Sequence, residues 1–207
     1  MQIPEEFLTI KEFSESKFKE KGSLFIGQSY PVTSEGEAQE ILERTKKKYY
    51  DATHHCYAYR LAQGETKYSD AGEPTGTAGI RILNAIEHFS LSNIIVISIR
   101  YFGGTKLGVG PLGKAYYNSA FTSLEAAEKV RKTCYKKILI TSGFDFISHV
   151  HHALSKASSK ILNTYYEEKV SLECLVVPKD LPLLYNFFNE TLSGKVQIED
   201  KNEYIYI

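Results

Sequence analysis

The sequence predicts an α+β protein of two domains, residues 1–132 and 133–207. Three observations carry this. The chain has 207 residues, long for one domain and sufficient for two at roughly 100–200 residues each. Apolar residues make up 43% and charged residues 24%, a mixture that can bury a core and offset the entropy of ordering. Segments of strand period alternate with segments of helical period, and the second half runs β-α-β-β-α-β, the ferredoxin-like order.

The elements follow in chain order. Residues 7–32 read as strand, Phe7–Ile10 and then Ser23–Tyr30, with the polar Ser14-Glu15-Ser16 separating the two. Ser34 is an N-cap with Glu37 three residues on. Ala38, Ile41, Leu42 and Thr45 then recur at helical spacing, so a helix spans about 35–48 and Lys46-Lys47-Lys48 sits at its negative end. His54–Leu61 alternates as a strand through Tyr57, Tyr59 and Leu61. Residues 63–77, rich in Gly, Ser, Asp and Pro, read as a long loop. A helix starts at Gly76 or Thr77 and carries Ile80, Leu83, Ile86 and Phe89. Asn93–Tyr101 is a nearly continuous apolar run, which suits a strand covered by helices. The glycine-rich turn Gly103–Pro111 leads into a helix over about 112–129. The basic stretch Lys129–Lys136 reads as a hinge. After it come a strand at 136–142, a helix at 147–157, strands at 160–167 and 169–177, a helix at 181–192 and a last strand at 196–207.

Charge excludes a bulk-electrostatic partner. Residues 1–132 hold 17 Lys+Arg against 16 Asp+Glu, and residues 133–207 hold 8 against 9, so nucleic-acid binding must rest on a local patch. Cys56, Cys134 and Cys174 are scattered and odd in number, which fits a reducing compartment rather than a disulfide framework. The N-terminal residues show no basic region followed by an apolar core, and the longest apolar run is too short to span a bilayer. A cytoplasmic protein with no membrane partner is expected.

Three segments resemble the signatures of the YigZ/IMPACT family: Asp51–Arg60 (DATHHCYAYR), Ser69–Gly79 (SDAGEPTGTAG) and Arg100–Gly108 (RYFGGTKLG). They occur in order, and the resemblance covers residues from about 15 to 128. It implies a first domain with the left-handed βαβ fold of a ribosomal small-subunit protein, elongation factor G domain IV and the GHMP kinases. It also implies a C-terminal domain similar to the last domain of elongation factor G, and a role near translation. Eukaryotic relatives bind the activator of a starvation-responsive translation kinase, partly through another domain absent from this sequence, so that partner is not implied here. Ala71 stands where the family commonly has an acid, and Pro111 with Gly113-Lys114 stands where Gly and Val-Arg are usual.

Several residues could carry chemistry. The turn at Gly103, Gly104, Lys106 and Gly108, with Arg100 before it and Lys114 after it, offers backbone amides, a helix N-terminus and cations to a phosphate or an RNA backbone. The same glycines could serve only a tight turn and close packing. Arg60 and Glu73 join this binding set through the cleft that the resemblance implies. His54, Asp70 and Glu73 are the candidates for acid–base work, against a structural reading in which they hold the loop. No catalytic residue is assigned and an enzyme is not favoured. His54 and Cys56 share a strand face, but two ligands are too few for zinc, and the helix with His149, His151 and His152 offers no further ligands. No metal or cofactor is expected. Tyr57, Tyr59, Tyr68, Tyr101, Tyr116 and Tyr117, interleaved with cations, could stack bases or be ordinary sheet residues. The function expected is a binding protein of the translation apparatus that contacts RNA, the ribosome or a translation factor. The alternatives are an enzyme acting on a phosphorylated small molecule or nucleotide, and a protein-interaction module in residues 133–207.

Overall fold

A computed structural model describes residues 3–207. The fold is mixed α+β, with two antiparallel sheets and five α-helices among the described residues. The chain forms two compact units, Met1–Arg131 and Lys132–Ile207.

In the first unit the elements are β1 (Glu6–Ile10), β2 (Ser14–Glu20), β3 (Ser23–Pro31), α1 (Glu35–Lys48), β4 (His54–Arg60), β5 (Thr66–Ser69), α2 (Gly79–His88), β6 (Ile94–Tyr101) and α3 (Val109–Ala126). The sheet order is β2-β3-β6-β4-β5, antiparallel throughout. β6 lies at the centre and is buried from Ile94 to Arg100, as its apolar run requires. Its alternation divides two layers. Ile95, Ile97 and Ile99 pack with Ala38 and Leu42 of α1, whereas Ile94 and Val96 pack with Ile82 and Ile86 of α2 and with Ala120 and Leu124 of α3. Serines let α3 lie close to the sheet: Ser98 Oγ donates to Ser119 Oγ at 2.7 Å, and Ser29 and Ser123 share a hydrogen bond of 2.7 Å. Ser34 caps α1 by accepting from Glu37 N at 3.2 Å, while Glu37 reaches back to Thr33 N at 2.7 Å.

The differences from the sequence reading have physical causes. Ser14-Glu15-Ser16 is not a separator but the start of β2. Its hydroxyls find partners on α3, Ser14 Oγ donating to Ser123 O at 2.8 Å and Ser16 bonding Thr122, so strand pairing tolerates a polar sequence. The 63–77 loop contains the short β5, whose exposed residues give no apolar signal. α2 begins at Gly79 rather than at 76 or 77 because the preceding amides are bound by Asp70. α3 begins at Val109, and Pro111 sits in its first turn, where a missing N–H costs nothing. Residues 129–136 are extended strand, part of β7 (Lys129–Ser142), rather than an irregular hinge.

The second unit continues from β7 through a 3-10 turn (Phe144–Phe146) to α4 (Ile147–Lys156), β8 (Ser159–Tyr166) and β9 (Val170–Val176). A second 3-10 turn (Pro178–Asp180), α5 (Leu181–Thr191) and β10 (Val196–Tyr206) complete it. Its strands lie in the order β10-β7-β9-β8, every pair antiparallel. Ile138, Ile140, Leu172 and Cys174 meet Val150, Leu154, Leu184 and Phe188 of the two helices in one core. Among the described residues no helix is long and apolar enough to cross a membrane.

Candidate functional site

The site forms where β6 ends. Arg100 is opposite Phe25 of β3 and His54 of β4 in the ladder, and its side chain is only 6% exposed. A buried guanidinium needs a counter-charge. Nη1 donates to Glu73 Oε1 at 2.6 Å, Nη2 donates to Ser23 Oγ at 3.3 Å, and the cation lies over the rings of Phe25 and Phe102, 5.5 Å from each centroid. Arg100 Nε is buried and meets no acceptor among the described residues. Glu73, itself 4% exposed at its side chain, also accepts from Tyr116 OH of α3 at 2.6 Å. His54 Nε2 is 3.7 Å from the same carboxylate oxygen, and His54 Nδ1 lies 2.9 Å from Ala71 O. One carboxylate thus ties together β4, β6, α3 and the 70–79 loop. Burial, with Cys56 and Glu73 beside it, raises the Tyr116 pKa, so this hydroxyl stays a donor. The Cys56 thiol donates to Asp70 O at 2.9 Å, and burial pushes its pKa up to about 12.

Asp70 has a different task. Its Oδ2 accepts from Gly76 N at 2.8 Å, and its Oδ1 accepts from Ala78 N at 2.9 Å and Gly79 N at 2.8 Å. Burial opposes ionisation, but the three amides outweigh it and hold the carboxyl below the usual Asp value. Asp70 therefore shapes the loop and starts α2, with its oxygens turned to the backbone.

The glycine turn divides into two parts. Gly103 is structural: a Cβ there would lie 1.9 Å from the carbonyl carbon of Gly22, and its amide donates to Ser23 Oγ at 3.2 Å, while Phe102 N donates to Thr53 Oγ1 at 3.0 Å. Beyond it the amides of Gly104 through Gly110 meet no acceptor among the described residues. Gly108 caps α3 at φ 87°, in the left-handed region open to glycine. Gly110 has neither a positive φ nor any neighbour that a Cβ would touch, so packing does not require a glycine there. Lys106 and Lys114 are exposed.

Two cavities flank the α3 N-terminus. One of about 450 Å³ is lined by His54, Glu73, Arg100, Phe102, Lys106 and Leu107, among others; the second, of about 480 Å³, is lined by Arg81, Gly110, Gly113, Lys114 and Tyr117 among others. The structure thus brings His54, Glu73, Arg100, Lys106 and Gly108 together and places Lys114 on the neighbouring cavity. Arg60 lies at the far end of β4, opposite Ile94. Arg100 does not present an unpaired charge, because Glu73 neutralises it.

The tyrosines do not form one platform. Tyr59 and Tyr116 are buried, and Tyr57 and Tyr101 pack on the α1 side of the sheet while Tyr117 packs on the other. The aromatic that reaches the cavity is Phe102, 46% exposed, which the sequence reading does not single out; its place beside the glycine turn is the available signal. The three motifs converge because β4 and β6 are ladder neighbours and the middle motif supplies the loop between them and α3. Among the described residues no group of three or more His, Cys, Asp or Glu could hold a metal ion.

The family profile of the Impact N-terminal domain matches residues 21–124, a span that contains the whole of this site. The chain belongs to the IMPACT family. It is 30% identical over 196 residues to the IMPACT family member YvyE of Bacillus subtilis, covering 94% of this chain and 90% of that one. It is 33% identical over 156 residues to an IMPACT family member of Thermus thermophilus, covering 75% and 85%. A crystal structure described as that of a hypothetical protein superposes with a TM-score of 0.68 at 25% identity, over 95% of this chain and 98% of the other. This IMPACT family chain therefore shares its kinship across both units, while the site lies in the first.

Proposed function

We propose that this protein is a cytoplasmic binding protein of the translation apparatus that contacts RNA, the ribosome or a translation factor, RNA being the partner its geometry favours, and regulates translation. The observation that carries the reading is the run of unpaired amides from Gly104 to Gly110 at the start of an 18-residue helix, flanked by exposed Lys106 and Lys114. Backbone amides, a helix N-terminus and cations are the parts that hold phosphate oxygens. The role near translation comes from the family resemblance. The finer fold assignment belongs to the same proposal: a left-handed βαβ first domain over residues 1–132, and a ferredoxin-like domain over 133–207 supported by the order β10-β7-β9-β8.

A second reading, an enzyme acting on a phosphorylated small molecule, has one observation in its favour. His54, Glu73 and Lys106 line a single cavity. It ranks behind RNA binding because Glu73 is held by Arg100 and Tyr116, and Asp70 by three amides.

Titration of labelled RNA at increasing salt tests the proposal. Affinity falls with salt, with a log–log slope of roughly 0.7 for each phosphate that the protein neutralises, so Lys106→Glu both weakens binding and flattens the slope. Binding that is absent at low salt, or indifferent to salt and to this substitution, refutes it.

A further inference from the structure

We propose that the cavity at the end of β6 takes one unpaired base of a single-stranded RNA, stacked on Phe102. This rests on the RNA-binding reading and adds which form of RNA is bound and how.

Phe102 is an exposed aromatic with two fixed neighbours, Thr53 at its amide and Arg100 at its ring. Its amide is fixed by Thr53 Oγ1 at 3.0 Å, the Arg100 guanidinium lies 5.5 Å from its ring centroid, and Arg100 is anchored by Glu73. The ring nevertheless keeps 46% of its surface open and lines the cavity. A ring ordered before binding loses little entropy when a base stacks on it, and the cation beside it strengthens the stack. The rest of the wall suits an apolar disc, with Pro74, Leu107, Val109 and Leu112 alongside Phe102, and Val109 is 70% exposed.

Size and charge select the ligand. About 450 Å³ falls within the roughly 300–1,000 Å³ of pockets that enclose small organic groups, and it admits a base with part of its ribose. A duplex offers its bases only as edges within a stack, so a base enters such a hollow only when it is unpaired. Lys106, Leu107, Gly108 and Val109, whose amides meet no acceptor among the described residues, border the same cavity, and the phosphate attached to that nucleotide would lie against them. An apolar peptide would satisfy the wall but would leave the amides and Lys106 without a counter-charge.

The test is fluorescence anisotropy on the full chain at low salt. It compares a single-stranded RNA of about 12 nucleotides with a blunt duplex of the same sequence. The expected result is tighter binding of the single strand. Phe102→Ala lowers single-strand affinity about tenfold or more and leaves duplex affinity unchanged, Phe102→Tyr restores it, and Lys106→Glu weakens both forms. Equal or tighter duplex binding, or a Phe102→Ala protein that binds the single strand like the wild type, overturns the inference. If Lys106→Glu still weakens both RNAs in that case, RNA binding stands and only the base pocket falls. If neither RNA binds the wild type, both fall.

Discussion

Cutting the buried Glu73–Arg100 pair should unlock the first unit selectively. The two side chains are 4% and 6% exposed, so solvent screening does not discount the interaction. Glu73→Leu leaves a buried guanidinium with Ser23 as its remaining hydrogen-bond acceptor, and leaves the Tyr116 hydroxyl without its carboxylate. Arg100→Met leaves a buried carboxylate with Tyr116 and the more distant His54. Removing one partner of such a pair costs about 3–5 kcal/mol, which is a large part of a typical folding free energy of about 5–15 kcal/mol. Replacing both with apolar side chains of similar bulk removes the unpaired charge and costs about 3 kcal/mol or less, far below the sum of the singles at about 6–10 kcal/mol. The chain has no Trp and 15 Tyr spread over both units, so bulk fluorescence would blur the result. Hydrogen exchange read by mass spectrometry resolves it. Each single substitution should lower protection of β4, β6 and α3 peptides by roughly a hundredfold to a few thousandfold, while peptides of α4 and α5 stay unchanged. The reasoning is refuted if either single costs less than about 1 kcal/mol, or if the double costs the sum of the two.

Other perturbations have equally definite outcomes. Because three amides hold the Asp70 carboxyl below its unfolded value, its contribution is complete above the unfolded pKa of about 3.9 and is lost as pH falls through the lower folded value. Hydrogen exchange of the α2 amides against pH should show that acid loss, and Asp70→Asn, whose NH2 would face a backbone N–H where a carboxylate oxygen now accepts, should reduce it while costing about 1–3 kcal/mol at neutral pH. Gly103→Ala should destabilise the first unit by about 3 kcal/mol or more, since its Cβ would meet the Gly22 backbone at 1.9 Å. Gly110→Ala, with open space and a helical position, should be neutral or stabilising by up to about 1 kcal/mol, as thermal melts of the pair would show.

Much of this protein was legible one-dimensionally. The period of Ala38, Ile41, Leu42 and Thr45, the cap at Ser34 and the apolar run at 94–99 are local signals, and the structure has α1 and β6 where those signals put them. β2 was illegible because its polar side chains find partners on α3, far away in sequence, and β5 because it is a short, largely exposed hairpin strand beside β4 with no apolar alternation of its own. Motif spacing pointed to the candidate site but not to how its residues pair. The sequence by itself determined the segments with a strong period or cap of their own, α1 and β6 among them, and the family to which the three signature segments point. Only the tertiary structure decided that Arg100 faces inward to Glu73, that Asp70 serves backbone amides, that Tyr116 is sealed in the core and that Phe102 opens onto a cavity. The physical reason is that periodicity reports which side of its own element a residue occupies, whereas the worth of a charge or a ring depends on what the neighbouring element places against it.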